Sequence, residues 1–235
     1  MANVHFIGGE KGGVGKSMTS RLLAQYYIDT NRPFMGFDSD ASHSTFSRFY
    51  GDFASPVMVG DDESLDSILE TCETQPDQDL VIDLAAQTST RLGEWIEETD
   101  VFGLLEELGH QVYLWHVMDD GKDSVDLLEG ALARYPAPSL KWVVVENHGR
   151  GGDFSQFEAS DAYKAAIERG ASVFKLGKLH PKLTHKADFA NASFWAAANN
   201  RDLMNIAERQ RMKVWLRNNY TQLDKLLPQV SATEE

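Results

Sequence analysis

The chain has 235 residues, 42% of them apolar and 25% charged, enough for one sizeable α/β domain with a well-buried core. Its formal net charge of −14 argues against a protein that coats DNA generally, because phosphate binding draws on Lys and Arg. Cys72 is the single cysteine, which excludes an internal disulfide, a CxxC redox pair and a cysteine-built zinc or iron–sulfur centre.

The N-terminal "MANVHFIGG" has neither a basic leader nor a long apolar run, and no stretch reaches the ~18 apolar residues of a membrane span. A soluble cytoplasmic protein is expected. In chain order, "VHFIG" is followed by "KSMTSRLLAQYYIDT", "PFMGFD" by a Ser-rich segment, and "DLVIDLA" by "TRLGEWIEETDVFGLLEEL". Next come "HQVYLWHVM" with "DSVDLLEGALARY", "LKWVVVEN" with "FSQFEASDAYKAAIERG", and "ASVFKLG" with the C-terminal helices. Apolar runs of four to eight residues alternating with longer amphipathic stretches predict βαβ units. The fold class is therefore α/β, a doubly wound and mostly parallel sheet with helices on both faces. One domain is expected over 1–228, including a C-terminal helix at about 200–227, with 229–235 a disordered tail. "DDES" and "EWIEE" are taken as solvated acidic faces, and the seven histidines have no metal-ligand spacing.

In such sheets ligands sit beyond the carboxyl ends of the strands. The first strand leads into "GGEKGGVGKS", which ends as a phosphate loop does, with Gly15, Lys16 and Ser17. Where an ordinary loop has its first Gly stands Glu10, followed by an extra lysine, Lys11. Gly12, Gly13 and Gly15, with Val14 between them, let consecutive N–H groups point into one concavity, and the helix from Lys16 through Met18 adds its positive dipole end. Lys16 is placed for the β and γ phosphates and the Ser17 hydroxyl for Mg²⁺. The bound nucleotide is expected to be ATP with Mg²⁺.

The pattern x-K-G-G-x-G-K-[ST] resembles the deviant Walker A loop of the ParA/MinD superfamily. That resemblance implies that Lys16 serves the protein's own ATP while Lys11 reaches across a nucleotide-sandwich homodimer to the partner's phosphates. "GFDSDAS" resembles the D-x-D of the superfamily's switch I, which implies that Asp40 orients the attacking water and Asp38 lies near the metal; the alternative is a pair of turn aspartates. "DLVIDLA" resembles Walker B, with Asp83 holding Mg²⁺ through water; family members commonly continue with a proline, whereas "LAAQTS" follows here. "WVVVENHG" resembles the strand end whose Asn, here Asn147, hydrogen-bonds adenine. "LHPKL" puts Pro181 where the family has a loop packing on the base.

The order of "AQYY", "LLEELGHQVYLWHVMDDGKDSVDLL", "HKADF" and "RQRMKVWLRNNYTQLDKLL" is similar to the plasmid-encoded conjugation and maintenance branch, proteins of the TraL and StbB kind. A slow, partner-stimulated ATPase with a plasmid-encoded protein partner is implied. A small-molecule ATP-dependent enzyme, a metal-insertion ATPase, or a nucleotide-binding module without hydrolysis are the alternatives on the same fold. In the last helix Met212, Trp215, Leu216, Leu223, Leu226 and Leu227 form one stripe and Arg209, Lys213 and Arg217 another. The apolar stripe could close the core with the basic one merely solvated, or the basic stripe could give weak non-specific DNA binding in an ATP dimer. A membrane-surface helix fits less well, because acidic "SATEE" follows it.

Overall fold

The structure, a computed structural model, describes residues 2–40 and 44–227; the expected disordered tail lies outside them. Strand β1 (Asn3–Gly8) leads through the glycine-rich loop into α1 (Lys16–Asp29), followed by β2 (Phe34–Asp38), α2 (Thr45–Phe49) and β3 (Ala54–Pro56). Then come α3 (Asp62–Thr74), β4 (Asp79–Asp83), α4 (Ser89–Glu98), α5 (Val101–Glu107), β5 (Gln111–Met118) and α6 (Lys122–Arg134). The chain continues through β6 (Lys141–Asn147), α7 (Ser155–Glu158), α8 (Asp161–Glu168) and β7 (Ser172–Leu176) to α9 (Pro181–Phe189), α10 (Phe194–Asn199) and α11 (Ile206–Leu226).

The seven strands run in the order β3-β2-β4-β1-β5-β6-β7, and all six neighbouring pairs are parallel. Such a sheet needs apolar residues on both faces, and alternate side chains supply them. Val4 and Phe6 of β1, Leu80 and Ile82 of β4 and Val144 of β6 pack under α3 to α6. Ile7, Val81, Val143 and Val145 pack under α1 and α9 to α11. Val143, Val144 and Val145 are each fully buried, and each contributes about 1.5–3 kcal/mol of burial. Among the described residues no helix is long and apolar enough to cross a membrane.

Register fixes where the functional rim lies. Asp38 of β2 pairs with Asp83 of β4, and Asp83 with Ile7 of β1, so these three strands end level. The glycine-rich loop and both aspartates therefore emerge side by side.

β3 and α3 lie outside the elements expected from the sequence. The apolar spacing of Leu65, Ile68, Leu69 and Cys72 marks the buried face of α3, and the "DDES" run forms its N-terminus: Asp61 accepts from Ser64 N, with Asp62 and Glu63 in the first turn. The amphipathic stretch "TRLGEWIEETDVFGLLEEL" forms two helices, because Asp100, with φ of 48°, ends α4 and restarts the chain as α5. The last helix begins at Ile206 rather than near 200, because Asn205 and Glu208 form a reciprocal capping box there. On α11, Met212, Trp215, Leu216 and Leu223 enter the core beside α1 with Leu227 just past its end, and Leu226 packs at the core's edge. Lys213 and Arg217 are exposed, whereas Arg209 donates to the Met204 carbonyl.

His5 is a packing group. It is fully buried, with its pKa pushed down to about 3 by burial and then by Arg32. Trp115 Nε1 donates to its Nδ1 at 3.0 Å, so the ring carries its proton on Nε2 and donates to the Tyr27 hydroxyl at 2.6 Å.

Candidate functional site

A cleft of about 770 Å³ opens on the rim where β1, β2, β4, β6 and β7 end. Of the residues expected to bind or act, Gly12, Gly13, Gly15, Lys16, Ser17, Met18, Asp40, Asn147 and Pro181 line it together. Lys11, Val14, Asp38 and Asp83 are not among its lining residues.

The loop conformation depends on glycine at position 15. Gly15 has φ of 109° as the N-terminal cap of α1, and a Cβ there would lie 2.2 Å from the Asn147 side-chain nitrogen. Both the backbone and the neighbour exclude any other residue. Asn147 uses this closeness: its Nδ2 donates to the Val14 carbonyl at 2.6 Å and its Oδ1 accepts from Gly149 N at 2.9 Å. The amide expected to read adenine is thus tied to the phosphate loop, with one donor and one lone pair left over.

The two lysines part company. Lys16 is buried, and its Nζ donates to the Lys11 carbonyl at 3.1 Å, arching over the loop. Burial lowers its pKa, with Asp83, Glu10 and Asp40 opposing. Lys11 instead reaches Asp119, just past the end of β5, with Nζ 2.9 Å from Oδ2 and 3.1 Å from Oδ1. The Asp119 hydrogen bond raises its pKa. Burial alone would raise the Asp119 carboxyl, but hydrogen bonds from Ser124, Lys11 and Gly121 hold it below its ordinary value.

The carboxylates also differ. Asp83 is buried; its Oδ1 accepts from the Ser20 hydroxyl at 2.9 Å, while Oδ2 has no hydrogen-bond partner. Burial pushes its pKa up to about 7, with the nearby Ser17 and Ser20 hydroxyls opposing and Asp38 adding to the rise. Asp38 spends both oxygens locally, Oδ1 accepting from Asp40 N at 3.0 Å and Oδ2 from Ser47 N at 2.8 Å and Ser47 Oγ at 3.0 Å on α2. A metal would have to compete for them. Asp40 faces the cleft from the loop that Asp38 holds.

An orphaned carboxylate oxygen beside a cleft hydroxyl suits magnesium, which keeps waters and uses one or two protein ligands with substrate phosphates. Ser17 and the Asp83 Oδ2 meet that description.

Several site residues carry no motif. Arg21 is buried on α1, lines the cleft, pairs with Asp188 at 2.9 Å and lies over the Phe49 ring at 3.6 Å. Asp119 could have been suspected from "MDDGK", an Asp-Asp-Gly turn at a strand end on this rim. Nothing local in the sequence marks Arg21.

No protein-family model matches the chain. It is 28% identical over 244 residues to Protein TraL of Escherichia coli, covering 95% of this chain and 98% of that protein. It is 25% identical over 173 residues to Protein MobD of Acidithiobacillus ferrooxidans, covering 72% and 74%. Among solved structures it superposes on the septum site-determining protein MinD of Pyrococcus horikoshii, complexed with Mg-ADP, with a TM-score of 0.57 at 13% identity over 97% of this chain and 98% of that one. The chain has the P-loop fold of that MinD structure. A chain of the Aquifex aeolicus MinC:MinD cell division protein complex gives a TM-score of 0.52 at 12% identity, over 94% of this chain and 96% of that one. The fold is therefore shared nearly end to end.

Proposed function

We propose that this protein is an ATP-dependent dimerising ATPase that acts as a switch in plasmid conjugation, positioning or maintenance. ATP fills the cleft with its phosphates on the Gly12–Ser17 backbone and Lys16, and Mg²⁺ is held by Ser17 and the Asp83 side. When bound, the ion neutralises phosphate charge. Asp40 orients the attacking water, the kind of help phosphoryl transfer requires. Lys11 leaves Asp119 for the phosphates of a second copy, so that two acidic chains associate only when nucleotide lies between them. Hydrolysis releases the pair.

The observation that carries this reading is the divergence of the two lysines. Lys16 points into its own cleft, while the Lys11 ammonium stands outside it on Asp119, one-third exposed. Likeness to Protein TraL along 95% of the chain supports the plasmid setting, and the Mg-ADP in the Pyrococcus MinD structure supports the cofactors. Sedimentation with and without Mg-ATP tests it. The native chain and Lys11→Ala should both bind ATP, but only the native chain should dimerise, and Lys16→Ala should lose tight nucleotide binding. ATP-dependent dimers of Lys11→Ala would overturn the reading.

A further inference from the structure

Glu10 occupies the place of a loop glycine, and its carboxylate leaves the phosphate loop altogether. Oε1 accepts from the backbone N–H of Ser89 at 2.9 Å, at the first residue of α4. That helix has no cap of its own: the Thr88 side chain makes no cap bond and donates instead to the Ala85 carbonyl, and there is no acidic residue in the first turn. A carboxylate at this position satisfies an orphan N–H and meets the positive end of the helix dipole. The cap is supplied by a residue 79 positions away, next to Lys11.

The segment 84–88 between Asp83 and α4 is therefore held at both ends by the loops that carry the reacting groups. At its start, Ala85 N donates to the Ser39 hydroxyl at 2.8 Å, and Ser39 lies between Asp38 and Asp40. At its end, Ser89 N donates to Glu10, between Gly9 and Lys11. The backbone at Gly9 has little slack. Its φ is 135°, and a Cβ there would come within 2.6 Å of the Val117 carbonyl. Within the segment Gln87 sits at φ 62°, a left-handed conformation uncommon for a non-glycine residue. On the far side Arg134 donates to the Ser89 carbonyl at 2.9 Å, so α4 is fixed to α6 as well.

We propose that Glu10 is a positioning residue that couples Lys11 to the segment after Asp83, so that the backbone before Lys11 and the first turn of α4 move as one body. The coupling rests on the switch described under Proposed function. A change at Asp40 that reaches Ala85 through Ser39 is passed along the segment to Ser89, through Glu10 to Lys11, and so decides whether Lys11 stays on Asp119. Glu10 touches neither nucleotide nor metal in this scheme; it acts through Lys11.

The test compares the full-length native chain, Glu10→Ala, Glu10→Gln and Lys11→Ala by amide hydrogen exchange and sedimentation, with and without Mg-ATP. Loss of a charged acceptor should raise Ser89 exchange in nucleotide-free Glu10→Ala by about tenfold to a hundredfold. ATP affinity should stay within about threefold of native, while the ATP dimer weakens at least about tenfold. Glu10→Gln keeps an acceptor of the same reach and should restore both exchange protection and dimerisation to near native, which a general destabilisation would not produce. Native Ser89 exchange in Glu10→Ala, native dimerisation in Glu10→Ala, or loss of ATP binding in that variant would each overturn the inference. Dimerisation of Lys11→Ala would instead remove the switch reading, and the Ser89 exchange result would still decide whether Glu10 holds α4.

Discussion

Asp83 offers a direct physical test of the site, through Asp83→Asn. The native carboxyl titrates near 7 in the folded chain against an ordinary value of 3.8, because burial penalises its charged form. A folded-state pKa above the unfolded one means that ionisation opposes folding. The cost is absent below about pH 4, grows as pH rises, and is complete above about pH 7. At about 1.4 kcal/mol for each pH unit in that interval, it is bounded by roughly 4 kcal/mol. An asparagine never ionises. It keeps an oxygen for the Ser20 hydroxyl, but places an amide nitrogen where Oδ2 has no partner, at a pH-independent cost of about 1–3 kcal/mol. That offset cancels when two pH values are compared.

Between pH 5 and pH 8 the variant should therefore gain roughly 2–3 kcal/mol on the native chain. For a chain of this length that corresponds to about 5 to 10 °C in relative Tm. Thermal melts without nucleotide, at several pH values across that range, measure it. Adding Mg-ATP should then stabilise the native chain much more than Asp83→Asn, since the carboxylate that charges on metal approach is gone. A Tm difference that stays constant from pH 5 to pH 8 would refute the argument that Asp83 is held neutral, and equal stabilisation by Mg-ATP would refute its place beside the metal.

Asp40→Ala should bind ATP and dimerise but release phosphate at least about tenfold more slowly at saturating ATP, the scale expected when a water-positioning group is lost; undiminished release would return Asp40 to a turn residue. Of the basic stripe on α11, Lys213 and Arg217 are exposed and open to a phosphate backbone, while Arg209 is tied to the Met204 carbonyl. Weak DNA retention at low salt is expected only with ATP, because the dimer doubles the cations, and Lys213→Glu with Arg217→Glu should abolish it. Equal gel shifts for ATP-bound, ADP-bound and substituted protein would leave α11 as a core helix alone.

The parallel sheet was legible because its strands are short, apolar on both faces and separated by amphipathic stretches; β4 and β6 stand out on those grounds alone. What escaped were elements whose signal is weak or mixed. β3 is three residues long and pairs with β2 at the sheet edge, too short for any period to appear. α3 does have helical spacing, but it opens on three consecutive acids that draw attention to its solvated end rather than to Leu65 and Ile68 beneath. The break at Asp100 needs a left-handed residue that composition does not announce.

At the site, the sequence marks most of the phosphate-loop residues that line the cleft, but not the residues that hold them. A phosphate loop is recognisable because its glycines and lysine lie within ten positions, dictated by the size of a phosphate group. The partners of those residues obey no such spacing: Lys11 meets Asp119 across 108 positions, Glu10 meets Ser89 across 79, and Asn147 meets Val14 across 133. Each pairing exists only because parallel strands end on one rim and bring distant loops together. A motif names the groups a phosphate would meet, whereas the structure shows the partners those charges have within the chain, Lys16 on the Lys11 carbonyl and Lys11 on Asp119. Buried or half-buried cations without partners are costly, so a protein that must release them to ligand needs substitutes of comparable strength. Under the proposed switch, the Lys11 carbonyl and Asp119 are the partners from which Lys16 and Lys11 would be released.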